Sequence, residues 1–83
     1  MKQKKVLGVI GLGHVGAHAA YALAVQGIAD ELILVDLKDQ KLASEVQDLR
    51  DAVAYLPHRV TVRAGEFSDL GACDVIVNSV GKI

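Results

Sequence analysis

Apolar positions along the chain follow two rhythms, one nearly continuous and one helical. "KVLGVI" (5–10) and "ELILVD" (31–36) are almost unbroken apolar runs with β-branched residues, the pattern of strands covered on both faces. Between them, residues 15–26 turn helical, with Gly16, Ala20 and Leu23 on one face. Gly27 follows where a helix commonly stops in a left-handed cap. Leu42, Val46, Leu49, Val53 and Leu56 recur at helical spacing, while Lys41, Ser44, Glu45, Asp48 and Asp51 take the opposite side. Pro57 is expected to end that helix, because the residue before a proline is pushed out of the α region. "RVTVRA" (59–64) alternates polar and apolar, as a strand near a sheet edge does. Ser68 is expected to cap one short helical turn, and "CDVIVNSV" (73–80) reads as the last strand.

The order is therefore β-α-β-α-β-(short α)-β, with no repeat, linker or low-complexity tract. Strands alternating with helices imply right-handed crossovers and a parallel sheet in an α/β fold. With the first strand central, the expected spatial order is 3-2-1-4. Eighty-three residues suffice for one small domain and not for two. A chain this short buries a modest share of its surface, so its stability is expected to be marginal.

Charge and cysteine content remove several function classes. Nine basic and ten acidic residues leave a net charge of −1, with no electrostatic reason for nucleic acid or an anionic membrane as partner. Cys73, the single cysteine, has no internal disulfide partner. The basic start "MKQKK" is followed by an apolar run broken by Gly8, Gly11 and Gly13, which is not a signal-peptide core. No stretch reaches the roughly 18–20 apolar residues of a membrane span. The expected location is cytoplasmic.

"GLGHVG" (11–16) carries the chemistry. Gly11, Gly13 and Gly16 spell G-x-G-x-x-G between a buried strand and a helix, the context that gives this otherwise weak motif its meaning. Gly11 permits the tight turn, Gly13 lets the backbone approach a pyrophosphate, and Gly16 lets the helix lie close on the sheet. The helix start then offers N–H groups and partial positive charge to phosphates. Asp36 stands twenty residues beyond Gly16, at the end of the second strand. A carboxylate there accepts hydrogen bonds from the ribose hydroxyls and repels a 2′-phosphate, which favours NAD. Lys38 and Lys41 nearby leave NADP open. Together these features predict the first half of a doubly wound, Rossmann-type nucleotide fold plus one strand. A purely structural strand-turn-helix would need neither the acid nor its spacing. A methyltransferase turn would carry an acid just before the glycines, where this chain has Val9 and Ile10.

Other polar residues yield little. His14 and His18 have the spacing of a two-histidine metal site, but Val15 stands where the metalloprotease glutamate would be, and no third ligand is evident. His58 is expected to be a solvated loop residue, and Cys73 to pack as a small apolar one. Asp48 and Asp51 are helix-surface charges. Asn78 and Ser79 close the last strand, where cofactor contact is expected, though neither has a base to make it a nucleophile.

"GVIGLGHVGAHAAYALAVQGIADELILVDLKDQK" with "ASEVQDLRDA" resembles the start of the L-lactate and L-2-hydroxyacid dehydrogenase family, over nearly the whole chain. The ending "DVIVNSVGKI" looks more like the L-2-hydroxyisocaproate branch, and malate dehydrogenases share the architecture. The resemblance implies NAD as cofactor, held by Gly11, Leu12, Gly13, His14, Val15 and Gly16 in the turn and by Asp36 on the ribose. It also implies contacts from Lys41, from Phe67 where the family often has a tyrosine, and from Gly81 and Lys82 after the last strand. Lys82 departs from the small residue usual in lactate enzymes.

The family's reaction is hydride transfer between NAD(H) and a 2-hydroxy or 2-oxo acid in a homo-dimer or tetramer. Its histidine acid–base, orienting aspartate and substrate-binding arginines match no residue of this chain. Residues 1–83 are accordingly expected to be the N-terminal part of an NAD-binding domain, truncated before the remaining strands and the catalytic domain, and inactive alone. The alternative from another class is a non-catalytic NAD-sensing module, which shares the glycine turn and the acid but not "GIADELILVD" or "EVQDLRDA".

Overall fold

The computed structural model describes residues 4–11 and 13–79, with His14 and Val15 described by their backbone alone. Its elements are β1 (Val6–Ile10), α1 (His14–Val25), β2 (Glu31–Val35), α2 (Asp39–Val53), β3 (Thr61–Ala64), a 3-10 turn η1 (Phe67–Ala72) and β4 (Val75–Asn78). The strands form one parallel sheet in the order β3-β2-β1-β4, as the alternation of elements predicts. β3, the alternating strand, does lie at an edge.

The two helices cover one face of the sheet and η1 closes the other. Leu7 and Val9 of β1 and Leu32 and Leu34 of β2 point toward the helices, where they meet Ala20, Ala24, Val46 and Leu49. Ile33 and Val35 point the other way, against Leu70 of η1, with Val6, Ile10 and Cys73 packed beside them. All five residues of β2 are therefore buried, which is why its sequence after Glu31 is an unbroken apolar run. Gly8 on β1 makes room for η1, since a Cβ there would lie 2.7 Å from Leu70 Cδ2 and 2.9 Å from Cys73 Sγ.

Element ends differ in detail from the sequence expectations. α2 stops at Val53, before Pro57, and Leu56 sits in the following turn, where its N–H donates to the Val53 carbonyl at 3.1 Å. The short turn is capped by Glu66 and not by Ser68: the Glu66 N–H donates to Asp69 Oδ2 at 2.7 Å, and the Glu66 carboxylate accepts from the Asp69 N–H. This is a reciprocal capping box, with the acid one turn on satisfying the cap's own N–H. α1 ends as expected, with Gly27 at φ +69°. His58 is a correction: it is half-buried and its Nε2–H donates to the Ala24 carbonyl at 2.9 Å, closing the C-terminus of α1.

One buried charge interrupts the apolar surface. Glu31, 9% exposed, accepts from Arg63 Nε at 2.6 Å and pairs with Lys4 Nζ at 3.0 Å. These hydrogen bonds, Arg63 first and then Lys4, hold its carboxyl below the ordinary carboxylate value of 4.5. A depressed folded-state value contributes stability above the unfolded value, and that contribution is lost as pH falls through the folded one. Thermal melts below about pH 4.5, the unfolded reference of a glutamate, should therefore show an acid-induced loss of stability that Glu31→Gln reduces. An unchanged pH slope in that variant would contradict the role of the pair.

Candidate functional site

The parallel register gathers the candidate residues at one edge of the sheet. Ile10 pairs with Val35 on one side and with Asn78 on the other, so Gly11, Asp36 and Ser79 each stand one residue beyond aligned strand ends. β1 lies where the chain turns from building toward β3 to building toward β4. Ligands in such sheets bind beyond the strand carboxyl ends at that switch.

Gly11 adopts φ +84°, a left-handed conformation that side chains resist, and its N–H donates to the Val35 carbonyl at 2.9 Å. The bend sends the chain directly into α1, whose cap residue is Gly13. Among the described residues no side chain caps this helix, and its first turn holds no acid. A helix start with these features suits an anionic ligand, which the helix dipole favours.

The motif glycines differ in what demands them. At Gly16, which is buried, a Cβ would overlap the Gly11 carbonyl oxygen and Ser79 Oγ, so helix and turn touch backbone to backbone. At Gly13 a Cβ would meet no atom of the described residues within 4 Å, its own chain neighbours and helix backbone aside, and φ −69° suits any residue. Packing among the described residues does not explain Gly13. A pyrophosphate seated against the turn does, and on this ground the residues fit the dinucleotide.

Beyond the ends of β2 and β3 is a cleft of about 560 Å³ whose lining includes Asp36, Leu37, Asp39, Leu42, Glu66 and Phe67. Asp36 is half-buried at the end of β2, and its Oδ1 accepts the Lys38 N–H at 2.9 Å, which fixes the carboxylate at the rim. Phe67, 53% exposed, also lines the cleft. The cleft thus unites two residues singled out from the sequence. Lys41 is not among its lining residues; it lies on α2 and pairs with Glu45 at 3.8 Å. Leu12, Gly81 and Lys82 fall outside the described residues, as do the side chains of His14 and Val15.

Sequence reasoning missed two features of this edge. Asp39, Glu66 and Asp69 line the cleft along with Asp36, and no cationic side chain among the described residues does. Glu66 and Asp69 each follow the end of β3 closely, a position from which cleft lining could have been read. Ser79 reaches the glycine turn itself, with Oγ 2.6 Å from the Gly11 carbonyl and 3.0 Å from that of Ile10.

The remaining polar groups stay outside this site. No cluster of three metal-ligating side chains exists among the described residues. Burial pushes the Cys73 thiol up from its ordinary value, which disfavours the reactive thiolate and suits its packing against η1. His58, at the C-terminus of α1, lies at the sheet end opposite the glycine turn. No helix among the described residues is long and apolar enough to cross a membrane.

Comparison with known proteins agrees with this geometry. Residues 4–82 match the family model described as the NAD-binding domain of lactate/malate dehydrogenase. The chain is 40% identical over 83 residues to an L-lactate dehydrogenase of Fusobacterium nucleatum, spanning all of this chain and 26% of that protein. It is 40% identical over 78 residues to L-lactate dehydrogenase 2 of Staphylococcus aureus, spanning 94% of this chain and 24% of that one. The crystal structure of a minor L-lactate dehydrogenase from Enterococcus mundtii superimposes with a TM-score of 0.91 at 30% identity, over 99% of this chain and 26% of that one. A malate dehydrogenase of Cryptosporidium parvum superimposes at 0.81 with 21% identity, over 96% of this chain and 26% of that one, a likeness of fold. The chain thus spans about a quarter of the length of these relatives.

Proposed function

The chain belongs to the lactate/malate dehydrogenase family as its NAD-binding domain, and from that premise we propose that it is the cofactor-holding segment of an L-2-hydroxyacid dehydrogenase. The substrate class is a small L-2-hydroxy or 2-oxo acid, of the lactate or 2-hydroxyisocaproate type. The observation that carries the reading is the space at Gly13, where no atom of the described residues beyond its own neighbours would meet a Cβ, on the same sheet end as Asp36. NAD, when bound, supplies the hydride acceptor or donor.

The chain's own residues bind and orient. The first turn of α1 directs its N–H groups at the pyrophosphate, the Asp36 carboxylate accepts from the adenosine ribose hydroxyls, and the Phe67 ring gives the adenine an apolar contact. Gly11, Gly13 and Gly16 shape the turn, and the backbone of His14 and Val15 opens the helix. Lys41, through its α2 position, and Leu12, Gly81 and Lys82 complete the proposed contacts. The histidines at 14, 18 and 58 have no acid–base role. Substrate chemistry, assembly into a homo-oligomer and a cytoplasmic location belong to the proposed whole enzyme.

The acidic cleft bears on cofactor choice. A 2′-phosphate at Asp36 would approach a wall with four carboxylates, Asp36, Asp39, Glu66 and Asp69, whereas a ribose hydroxyl pair meets acceptors. Calorimetric titration should show NADH bound at least tenfold tighter than NADPH, a difference of about 1.4 kcal/mol. Asp36→Ala should weaken NADH by about tenfold, the value of a hydrogen bond to a charged acceptor, while sparing NADPH. Equal affinities in the unsubstituted chain would defeat the assignment of Asp36.

A further inference from the structure

We propose that Ser79 is a positioning residue for the pyrophosphate turn: its hydroxyl holds the Gly11 carbonyl inward so that the N–H groups of α1 stay available to phosphate. The inference rests on the nucleotide reading above and adds to it a residue that acts through the backbone of the turn.

The need for such a group follows from the backbone. A turn that aims N–H groups at a ligand must point carbonyl oxygens the other way, into the protein. Gly11 does this: its oxygen lies where a Cβ on Gly16 would be, under the first turn of α1. An inward carbonyl needs a donor, since an unsatisfied buried one is costly. The nearby N–H groups of α1 are unsuitable partners, because satisfying Gly11 would withdraw them from the phosphate.

Ser79 fills the gap from a different strand. Its N–H donates to the Ile10 carbonyl at 2.9 Å, continuing the β1–β4 ladder and fixing the residue's height above the sheet. Its hydroxyl donates to the Gly11 carbonyl at 2.6 Å, with the Ile10 carbonyl at 3.0 Å as an alternative acceptor. The Cβ that Gly16 lacks would also overlap this hydroxyl. Turn, helix and β4 therefore interlock at one point, Gly11 O against Ser79 Oγ against Gly16 Cα. Without the hydroxyl the Gly11 carbonyl keeps its place with no donor, or the turn rotates to find one among the helix N–H groups.

The test separates phosphate positioning from general stability. Ser79→Ala should weaken NADH and ADP about three- to tenfold, one neutral hydrogen bond's worth, and leave adenosine, which lacks phosphate, unchanged in ligand-observed NMR titrations. Ser79→Thr keeps the hydroxyl and should bind within about threefold of the unsubstituted chain. Unaltered ADP binding in Ser79→Ala would overturn the proposal. So would a parallel loss for ADP and adenosine together with a fall in Tm, the mark of a purely structural residue. Failure of the unsubstituted chain to bind NADH would overturn the nucleotide reading and this role with it.

Discussion

Gly16→Ala is expected to lose both nucleotide binding and stability, whereas Gly13→Ala should lose binding alone. At Gly16 the added methyl would overlap the Gly11 carbonyl and the Ser79 hydroxyl. Neither obstacle is the end of a flexible chain: one is backbone, and the other is held by its bond to that backbone. The helix must lift from the turn, an overpacking change of about 1–3 kcal/mol. Lifting it also moves the N–H groups that would meet the pyrophosphate, so NADH affinity should fall by about a hundredfold, equivalent to two charge-assisted hydrogen bonds. At Gly13 the methyl touches nothing among the described residues beyond its chain neighbours, and φ −69° is ordinary for alanine. The weaker helix cap and the lower entropy of the unfolded chain offset each other to within about 1 kcal/mol. Yet that methyl stands where the phosphates would, so binding should fall with Tm nearly constant. NADH bound by Gly13→Ala as tightly as by the unsubstituted chain would remove the reason for a glycine there.

That contrast also marks how far sequence alone reaches. The sheet order was legible because β1 and β2 are covered on both faces and β3 on one, so burial is written directly into unbroken or alternating runs. The glycine turn and Asp36 were legible because their spacing fixes both to strand ends. What escaped depends on which strand ends become neighbours. Ser79 and Gly11 are 68 positions apart and meet only because Asn78 aligns with Ile10. The capping of η1 by Glu66 escaped because the reciprocal acid, Asp69, lies three residues on, past the more conventional Ser68. His58 looked solvated because nothing local shows that the α1 terminus folds back to meet it. Hydrophobic period finds elements; register and long-range polar pairs need the assembled sheet.

Leu32→Ala is expected to cost about 2–5 kcal/mol, the range for truncating a fully buried leucine that leaves a cavity. Leu32 is 0% exposed, in the strand flanked on both edges and packed on both faces. A domain of this length has a total stability of about 4–12 kcal/mol, so the variant should unfold partly or wholly near physiological temperature. Ile76→Ala on the edge strand β4, where the side chain is 44% exposed, should cost far less. The core defect also reports on the site, because β2 carries Asp36 at its end. A ligand that binds only the folded chain stabilises it by about 2.7 kcal/mol at a hundred times its Kd. NADH at that concentration should recover much of the Tm lost by Leu32→Ala, and the recovery should shrink when Asp36→Ala is added. Equal rescue with and without Asp36 would mean that the nucleotide is held elsewhere; rescue of neither would mean that it is not held at all.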